Sequence, residues 1–490
     1  MPKIPTSTRT KLENYVKLFG RDTFSTDGKV LLCKICEKDV KCSQKSQVTQ
    51  HLNGILHKAK LDRGASSLSL IQLPSLVQAQ GKQSKYSIEL SNAFVAADIP
   101  LHKLENSVLK KFLQEWTKQI TPSPVTLRLN YVKVLYESKL EFIRESIRGK
   151  PIWISMDETT DVTGRYVAHT VVGTLETVES RSFLLHAEHL EKTNASTITQ
   201  AFINALMILW PAGLEHDKVL LFTTDGAAYM KSAGNTLKAI FPKMLHVTCA
   251  THALHRIAEE VRIMFPNVDK LVANGKKIFL KSASRATVFR ETAPGIPLPP
   301  QPILTRWGSW IRGAIYYAEN FEAFSSVVDN LDPREASSIH IVQELTRSKP
   351  PDADLAYIRT NFASLPPAIE RLEKQGRPLV DSLAVFNDTL QDLRKISGDR
   401  GDKIRSKIDS VLRRNPDLKV LERISGLING SSDENDLQYT PMELSSMKFA
   451  PITSVDVERS FSRLKHTLND RRQSLTFENL KHLLIVHCNQ

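Results

Sequence analysis

Cysteine is scarce here, with five residues in 490. That excludes the disulfide framework of a small secreted scaffold and points to a reducing compartment. No apolar run approaches the roughly 20 residues of a membrane-spanning helix, so no membrane partner is expected. The opening Met-Pro-Lys-Ile-Pro-Thr-Ser lacks the apolar core of a secretory signal. Acidic residues are outnumbered, 53 Asp and Glu against 66 Lys and Arg, which leaves a formal charge of +13. The imbalance is concentrated. Residues 1–63 hold 13 Lys and Arg against 6 Asp and Glu, over half of the net charge in an eighth of the chain. Such a concentration favours a polyanionic partner over simple solubility.

A chain this long, 41% apolar, is expected to fold as two to four domains. Residues 1–63 contain a small basic unit, and 64–85 read as a polar linker. From 86 to 149 the pattern is helical: Leu101, Leu104, Val108 and Phe112 recur at helical spacing, as do Val132, Tyr136, Leu140, Ile143 and Ile147. From 150 to 264 the order reads strand, strand, strand, helix, strand, helix, strand, helix. The first three strands are joined closely enough to be antiparallel; the later ones alternate with helices and should be parallel. Asn194 or Ser196 is the expected cap of the first helix in that run. This is the order of an RNase H-like sheet. Residues 265–445 show amphipathic helical stretches without a convincing strand and read as a helical insertion. Residues 446–490 return two helical stripes, Val457, Phe461, Leu464, Leu468 and Phe477, Leu480, Leu484, His487.

Two sets of residues carry chemistry. The first is Cys33-x2-Cys36-x14-His51-x5-His57, with the order and spacing of a Cys2His2 site. Four borderline-soft ligands suit structural zinc, and a unit of this size has too small a core without such a staple. The two histidines are expected on a helix whose end must open to span five intervening residues. Cys42 reads as a bystander. Nearby Lys34, Lys41, Lys45 and Lys58 suit phosphate contacts, or a solvated basic face.

The second set is acidic. Asp157 closes the strand-like run Pro-Ile-Trp-Ile-Ser-Met-Asp, and Asp225 closes Val-Leu-Leu-Phe-Thr-Thr-Asp. Glu458 stands on a C-terminal helix. Two aspartates at adjacent strand ends and a glutamate from a packing helix are a hard-oxygen set for Mg²⁺ or Mn²⁺ and for metal-assisted phosphoryl transfer. Glu158 and Asp161 compete with Asp157, and Asp456 competes with Glu458.

The surrounding words resemble the hAT superfamily of DNA transposases. Ser-Met-Asp-Glu-Thr-Thr-Asp at 155–161 is similar to the first catalytic segment of that family. Thr-Thr-Asp-Gly-Ala-Ala-Tyr-Met at 223–230 is similar to the second, where asparagine often stands in place of Gly226. Cys249-Ala-Thr-His252 resembles the CxxH segment, and Thr305-Arg306-Trp307-Gly-Ser-Trp the opening of the helical insertion. Ser454-x3-Glu458-Arg459-Ser460-Phe461-Ser462 with Arg471-Arg472 resembles the C-terminal catalytic and dimerisation segment. The finger is similar to the BED type. With Ala97-Asp98-Ile99-Pro100-Leu101-His102-Lys103, the N-terminal part also looks like the CGG-repeat-binding protein, a host DNA-binding protein related to such transposases.

The resemblance implies an α/β RNase H-like core interrupted by a large α-helical insertion, behind an N-terminal BED-type zinc finger. It implies catalytic Asp157, Asp225 and Glu458 holding Mg²⁺ or Mn²⁺, and His252 near the scissile phosphate. Arg306 and Trp307 would contact DNA. Cys249, His252 and Trp307 also fit as buried packing residues. The implied partners are double-stranded DNA at transposon terminal repeats and a second copy of the chain, as a homodimer or higher oligomer. The implied compartment is the nucleus. A domesticated, non-catalytic DNA-binding regulator is the alternative function.

Overall fold

The structure, a computed structural model, describes residues 8–20, 23–26, 30–34, 36, 38–54, 57, 82–302, 307–348, 350–431, 437–469 and 475–490. The chain divides into two compact units, Met1–Gly81 and Lys82–Gln490.

The first unit contains α1 (Thr8–Phe19), β1 (Phe24–Thr26), β2 (Leu31–Cys33), β3 (Lys38–Val40) and α2 (Lys45–Asn53). The three strands pair antiparallel in chain order. Each strand is three residues long, so the core is small: Leu12, Phe24, Leu31, Val40 and Val48 with Cys33 and Cys36. α2 ends at Asn53, and Gly54 is extended at φ −66°, ψ 140°. His51 therefore stands in the last turn of the helix and His57 beyond its end. The helix stops cleanly at Gly54 rather than opening at its end.

The second unit opens with α3 (Lys82–Ala96), a 3-10 turn at Leu101–Glu105, α4 (Ser107–Thr117) and α5 (Val132–Ile147). The expected stripe from Leu101 to Phe112 breaks at Asn106. Its side chain accepts from Val108 N at 3.0 Å and Leu109 N at 3.1 Å, capping α4 and resetting the helical phase. Leu101 and Leu104 are buried in the turn, while Val108 and Phe112 are 75% and 54% exposed.

The sheet has the order β6-β5-β4-β7-β8. β4 (Ile152–Thr160), β5 (Tyr166–Thr174) and β6 (Ser182–Leu190) are antiparallel neighbours. β7 (Val219–Thr224) joins β4 parallel, and β8 (Leu245–Thr248) joins β7 parallel. β4 is central, and all of Ile152 to Met156 is buried because both faces are covered. Trp153 faces Gly173 across the β4–β5 pair. A Cβ at Gly173 would meet the indole at 2.5 Å, so no other residue fits there. Helices α6 (Ala195–Leu209), α7 (Ala228–Lys238) and α8 (Ala250–Met264) connect and follow the parallel strands. α6 starts at Asn194: its side chain accepts from Thr197 N at 3.0 Å, and Thr197 Oγ1 accepts from Asn194 N at 3.1 Å. This reciprocal cap decides between the two candidates read from sequence.

The described residues of 265–445 contain helices from Pro266–Phe279 to Pro441–Ser446 and no strand. This insertion returns to the sheet at Asn415 and Asp417, alongside β8. Asn415 Oδ1 accepts from Thr248 N (3.0 Å) and its Nδ2 donates to Thr248 O (2.9 Å), while Asp417 Oδ2 accepts from His246 N (2.7 Å). The chain closes with α9 (Val455–Thr467) and α10 (Phe477–Cys488). Leu483 and Val486 of α10 share a core with Leu90, Phe94, Leu101, Leu104, Leu127 and Val132.

Candidate active site

The parallel pairing of β4 with β7 ends at Ser155 and Thr223. Two residues further, on the same face, come Asp157 and Asp225. Neighbouring strands lie about 4.8 Å apart, so this register sets the two carboxylates side by side. Asp157 does not end its strand, as the sequence suggested. β4 continues to Thr160, paired there with β5 alone. Asp157 stands where β4 outruns β7, which opens one flank of it beyond the shorter strand. Burial pushes its carboxyl well above the usual range; His252 opposes this, and the charges of Asp225 and Glu158 add to it. One backbone donor steadies each aspartate: Glu158 N to Asp157 Oδ1 at 2.9 Å, Ala227 N to Asp225 Oδ1 at 3.0 Å.

Each of the competing acids has partners of its own. Asp161 is sealed in the β4–β5 turn. It accepts from Thr163 N (2.8 Å), Thr163 Oγ1 (2.7 Å), Arg165 N (3.1 Å) and Arg165 Nε (2.7 Å). These bonds outweigh its burial and hold its carboxyl below the usual range. Asp456 is engaged by Gln375 and by Arg459 at 3.4 Å. Glu158 accepts the Tyr229 hydroxyl.

Glu458 reaches the site from α9. His252 Nε2 lies 3.8 Å from Glu458 Oε1. Burial alone would lower the imidazole, but Cys249, Asp157 and Glu458 outweigh it and raise His252 to about 10. His252 thus stands among Cys249 and the carboxylates of β4 and α9, which favour its protonated form. Cys249, which opens α8, ties these elements together. Its N–H donates to Thr224 O (2.8 Å), the residue before Asp225, and its Sγ accepts from Ser454 N (3.3 Å), the residue that starts α9. Ala250 N adds a bond to Ile452 O at 2.8 Å.

Sequence reasoning missed a second anchor of α9. His169 faces Asp157 across the β4–β5 pair, and its Nδ1 lies 2.6 Å from Ser460 Oγ. Phe461 packs on the same imidazole, with ring centroids 5.0 Å apart. Ser460 donates its hydroxyl to Val457 O (2.6 Å), so His169 Nδ1–H is the donor to Ser460 Oγ. The sequence marks Phe461 as part of an apolar helical stripe and Ser460 as part of a motif, but nothing in the strand marks His169 as their partner. Tyr229 was more accessible to reasoning, because it follows Asp225 by four residues in the same segment.

Burial lowers His169 to about 3, with His186 adding to the shift, and lowers His246 to about 4, with Lys238 adding and Asp417 opposing. Both values lie below the ordinary 6.5, so the unfolded chain takes up these protons first as pH falls. Stability should therefore decline as pH drops from about 6.5 toward 4, by up to about 1.4 kcal/mol per pH unit for each histidine. Urea unfolding across this range measures it. His169→Gln should flatten the slope, and an unchanged slope would show that His169 is not buried neutral.

Among the described residues, one group of His, Cys, Asp and Glu has ligand atoms all within 4.8 Å of one another: Cys33, Cys36, His51 and His57. Cys33 Sγ and Cys36 Sγ lie 3.5 and 3.3 Å from His57 Nδ1, and the two imidazole centroids are 4.9 Å apart. Two thiols and two imidazoles converging from β2, the β2–β3 turn, α2 and the segment after it could bind zinc. Cys42 lies outside this group. Asp157, Asp225 and Glu458 do not close into such a group, although their oxygen donors have the right chemistry for Mg²⁺ or Mn²⁺. Lys34, Lys41 and Lys45 are exposed. Lys58 and Arg306 lie outside the described residues, as does the Trp307 side chain; Trp307 opens the helical stretch Trp307–Asp329.

Comparison with known proteins places names beside this geometry. Residues 125–278 match a domain of unknown function, DUF659. Residues 449–489, which include α9 and α10, match the hAT family C-terminal dimerisation region. No curated protein matches the chain. Among solved structures, the Drosophila P element transposase strand transfer complex aligns at 10% identity and a TM-score of 0.39. That alignment covers 91% of this chain and 98% of the other. The C-terminal helix carrying Glu458 thus lies in the segment that is similar to the hAT family C-terminal dimerisation region.

Proposed function

We propose that the protein is a hAT-type DNA transposase that cleaves and transfers DNA strands with divalent metal ions. The observation that carries this reading is His252 standing between Asp157 and Glu458, with Asp225 beside Asp157. Asp157 and Asp225 stand at the end of a parallel strand pair, and Glu458 comes from a helix fastened to β7 through Cys249 and to β5 through Ser460. The sheet is read as an RNase H-like core, supported by its order and by its antiparallel-then-parallel pairing. Bound Mg²⁺ or Mn²⁺ would activate the attacking water or 3′-hydroxyl and stabilise the leaving oxygen. The chain's part is to hold that chemistry in place. Asp157, Asp225 and Glu458 supply the ligand oxygens. His252 presents a positive imidazole toward the scissile phosphate and keeps two carboxylates close while they are empty.

The Cys33–Cys36–His51–His57 unit, with zinc as a structural ion, is read as a BED-type finger gripping double-stranded DNA at transposon ends. Lys34, Lys41, Lys45 and Lys58 are its phosphate contacts, and Arg306 and Trp307 serve DNA beside the active site. The hAT dimerisation region supports a homodimer or larger oligomer, and the reading places the protein in the nucleus. The chain is accordingly divided into a finger (1–63), linker (64–85), helical region (86–149), core (150–264), insertion (265–445) and C-terminal region (446–490).

The test is Mn²⁺-dependent nicking of plasmid DNA by the full chain. Asp225→Asn and Glu458→Gln should each lose nicking by about a thousandfold or more while binding DNA as before. Nicking that survives in both variants would remove the catalytic assignment. A wild-type chain that binds DNA but never cuts it would favour the non-catalytic regulator.

A further inference from the structure

Beside Asp225 there is a cationic feature that the metal reading and the finger leave unused. A recess of about 20 Å³ is lined by Gly226, Lys231, Thr248, His252, Arg256 and Arg414, among others, with no Asp or Glu in its wall. Three separate elements supply its basic side chains: Lys231 from α7, Arg256 from α8 and Arg414 from the insertion. Among the described residues, none of the three has a side-chain ion pair or hydrogen bond. Their neighbours behave differently. Lys238 pairs with Asp417, Arg262 with Asp269 at 2.6 Å, and Lys407 with Glu260 at 3.3 Å.

The approach of Arg256 is close. A Cβ at Gly226 would meet its Nη2 at 3.1 Å and its Cζ at 3.2 Å. Glycine therefore lets a guanidinium rest against the backbone directly after Asp225. Three like charges that share a recess with no acid in its wall repel one another, and an anion would relieve that cost. The space limits the anion, because 20 Å³ admits one or two water-sized groups and no nucleobase. A guanidinium and an ammonium aimed at one or two oxygens suit a phosphate.

We propose that this recess binds a backbone phosphate of the DNA strand, next to the phosphate presented to Asp157, Asp225 and Glu458. The inference rests on the transposase reading and deepens it. Arg256 is the principal contact, Lys231 and Arg414 complete the cradle, and Gly226 is what lets Arg256 reach it. The recess fixes the strand's register against the acids without reading sequence.

The test uses the full chain and a mixed-sequence duplex of roughly 30 base pairs with a single-stranded 3′ extension, titrated between about 50 and 200 mM KCl. Arg256→Ala should weaken binding about tenfold and make the slope of log affinity against log salt shallower by about 0.7 to 0.9. Arg256→Lys, which keeps the charge, should restore the slope, and equal melting of the variants excludes misfolding. Gly226→Ala should act in the same direction as Arg256→Ala by displacing the guanidinium. A salt slope that ignores Arg256 overturns the proposal. Inorganic phosphate is the second arm. If it weakens wild-type DNA binding but not that of Arg256→Ala, the shared site is supported. If it binds at Arg256 while DNA affinity is indifferent to that residue, the DNA assignment is overturned. Failure of the transposase reading looks different: plasmid nicking would be absent or independent of Asp225, while Arg256 still set the salt slope.

Discussion

Replacing Asp157 with asparagine should give a chain that melts higher without metal and no longer cuts DNA. Both effects follow from where the residue sits. Burial holds its ionisation well above the ordinary 3.8, with His252 opposing and the charges of Asp225 and Glu158 adding. The folded state therefore ionises Asp157 less readily than the unfolded chain does, and rising pH costs stability once the unfolded carboxylate has lost its proton. Asparagine removes that cost. The gain should be full above the folded-state value and vanish below pH of about 4, where both states are protonated. The same substitution removes a metal ligand, which should lower Mn²⁺-dependent nicking by at least about a thousandfold. Melting curves from pH 4 to 8, with and without Mn²⁺, read the two effects together. Wild type should gain stability from the ion and the variant should not. A variant that melts lower than wild type at pH 8 without metal would show that Asp157 is held by contacts other than those described.

The second large effect concerns zinc. Three strands of three residues and two short helices enclose few side chains, and two of the buried ones are the ligand cysteines. Metal binding free energies in such units reach about 10 to 16 kcal/mol, far more than this core supplies. Chelation, or Cys33→Ser, should unfold residues 24–57 and leave the sheet intact. Amide NMR resonances of the first unit would collapse toward random-coil positions while those of the second stay put. Duplex binding should fall at least about tenfold as the lysines lose their scaffold. Unaltered resonances after full removal of zinc would show that the unit folds without it.

Much of this was legible in the chain because local patterns carried it. The strand and helix order from 150 to 264 follows from changes of apolar period, and the Cys2His2 spacing follows from ligand chemistry. What escaped was set by contacts between distant segments. Asp157 looked like a strand terminus because the apolar run stops there, yet pairing with β5 extends the strand to Thr160. The Leu101–Phe112 stripe looked continuous because periodicity cannot register a cap at Asn106. Cys249 Sγ and Ser454 N are 205 residues apart, and His169 and Ser460 are 291 apart. No window along the sequence contains either pair, so the clamp that brings Glu458 to the aspartates was invisible until the fold was known.

The placement of Asn415 and Asp417 has a consequence for how this protein can be taken apart. β8 is the last strand of its sheet, and an open strand edge is a template for pairing with other chains. Here the amide of Asn415 imitates a neighbouring strand at Thr248, and Asp417 occupies the N–H of His246. Both come from the insertion. A core trimmed of that insertion would bare this edge one strand away from Asp225 and invite aggregation through it. The helices between Pro266 and Ser446 are thus a condition of the sheet's solubility, and the core is not a module that can be excised.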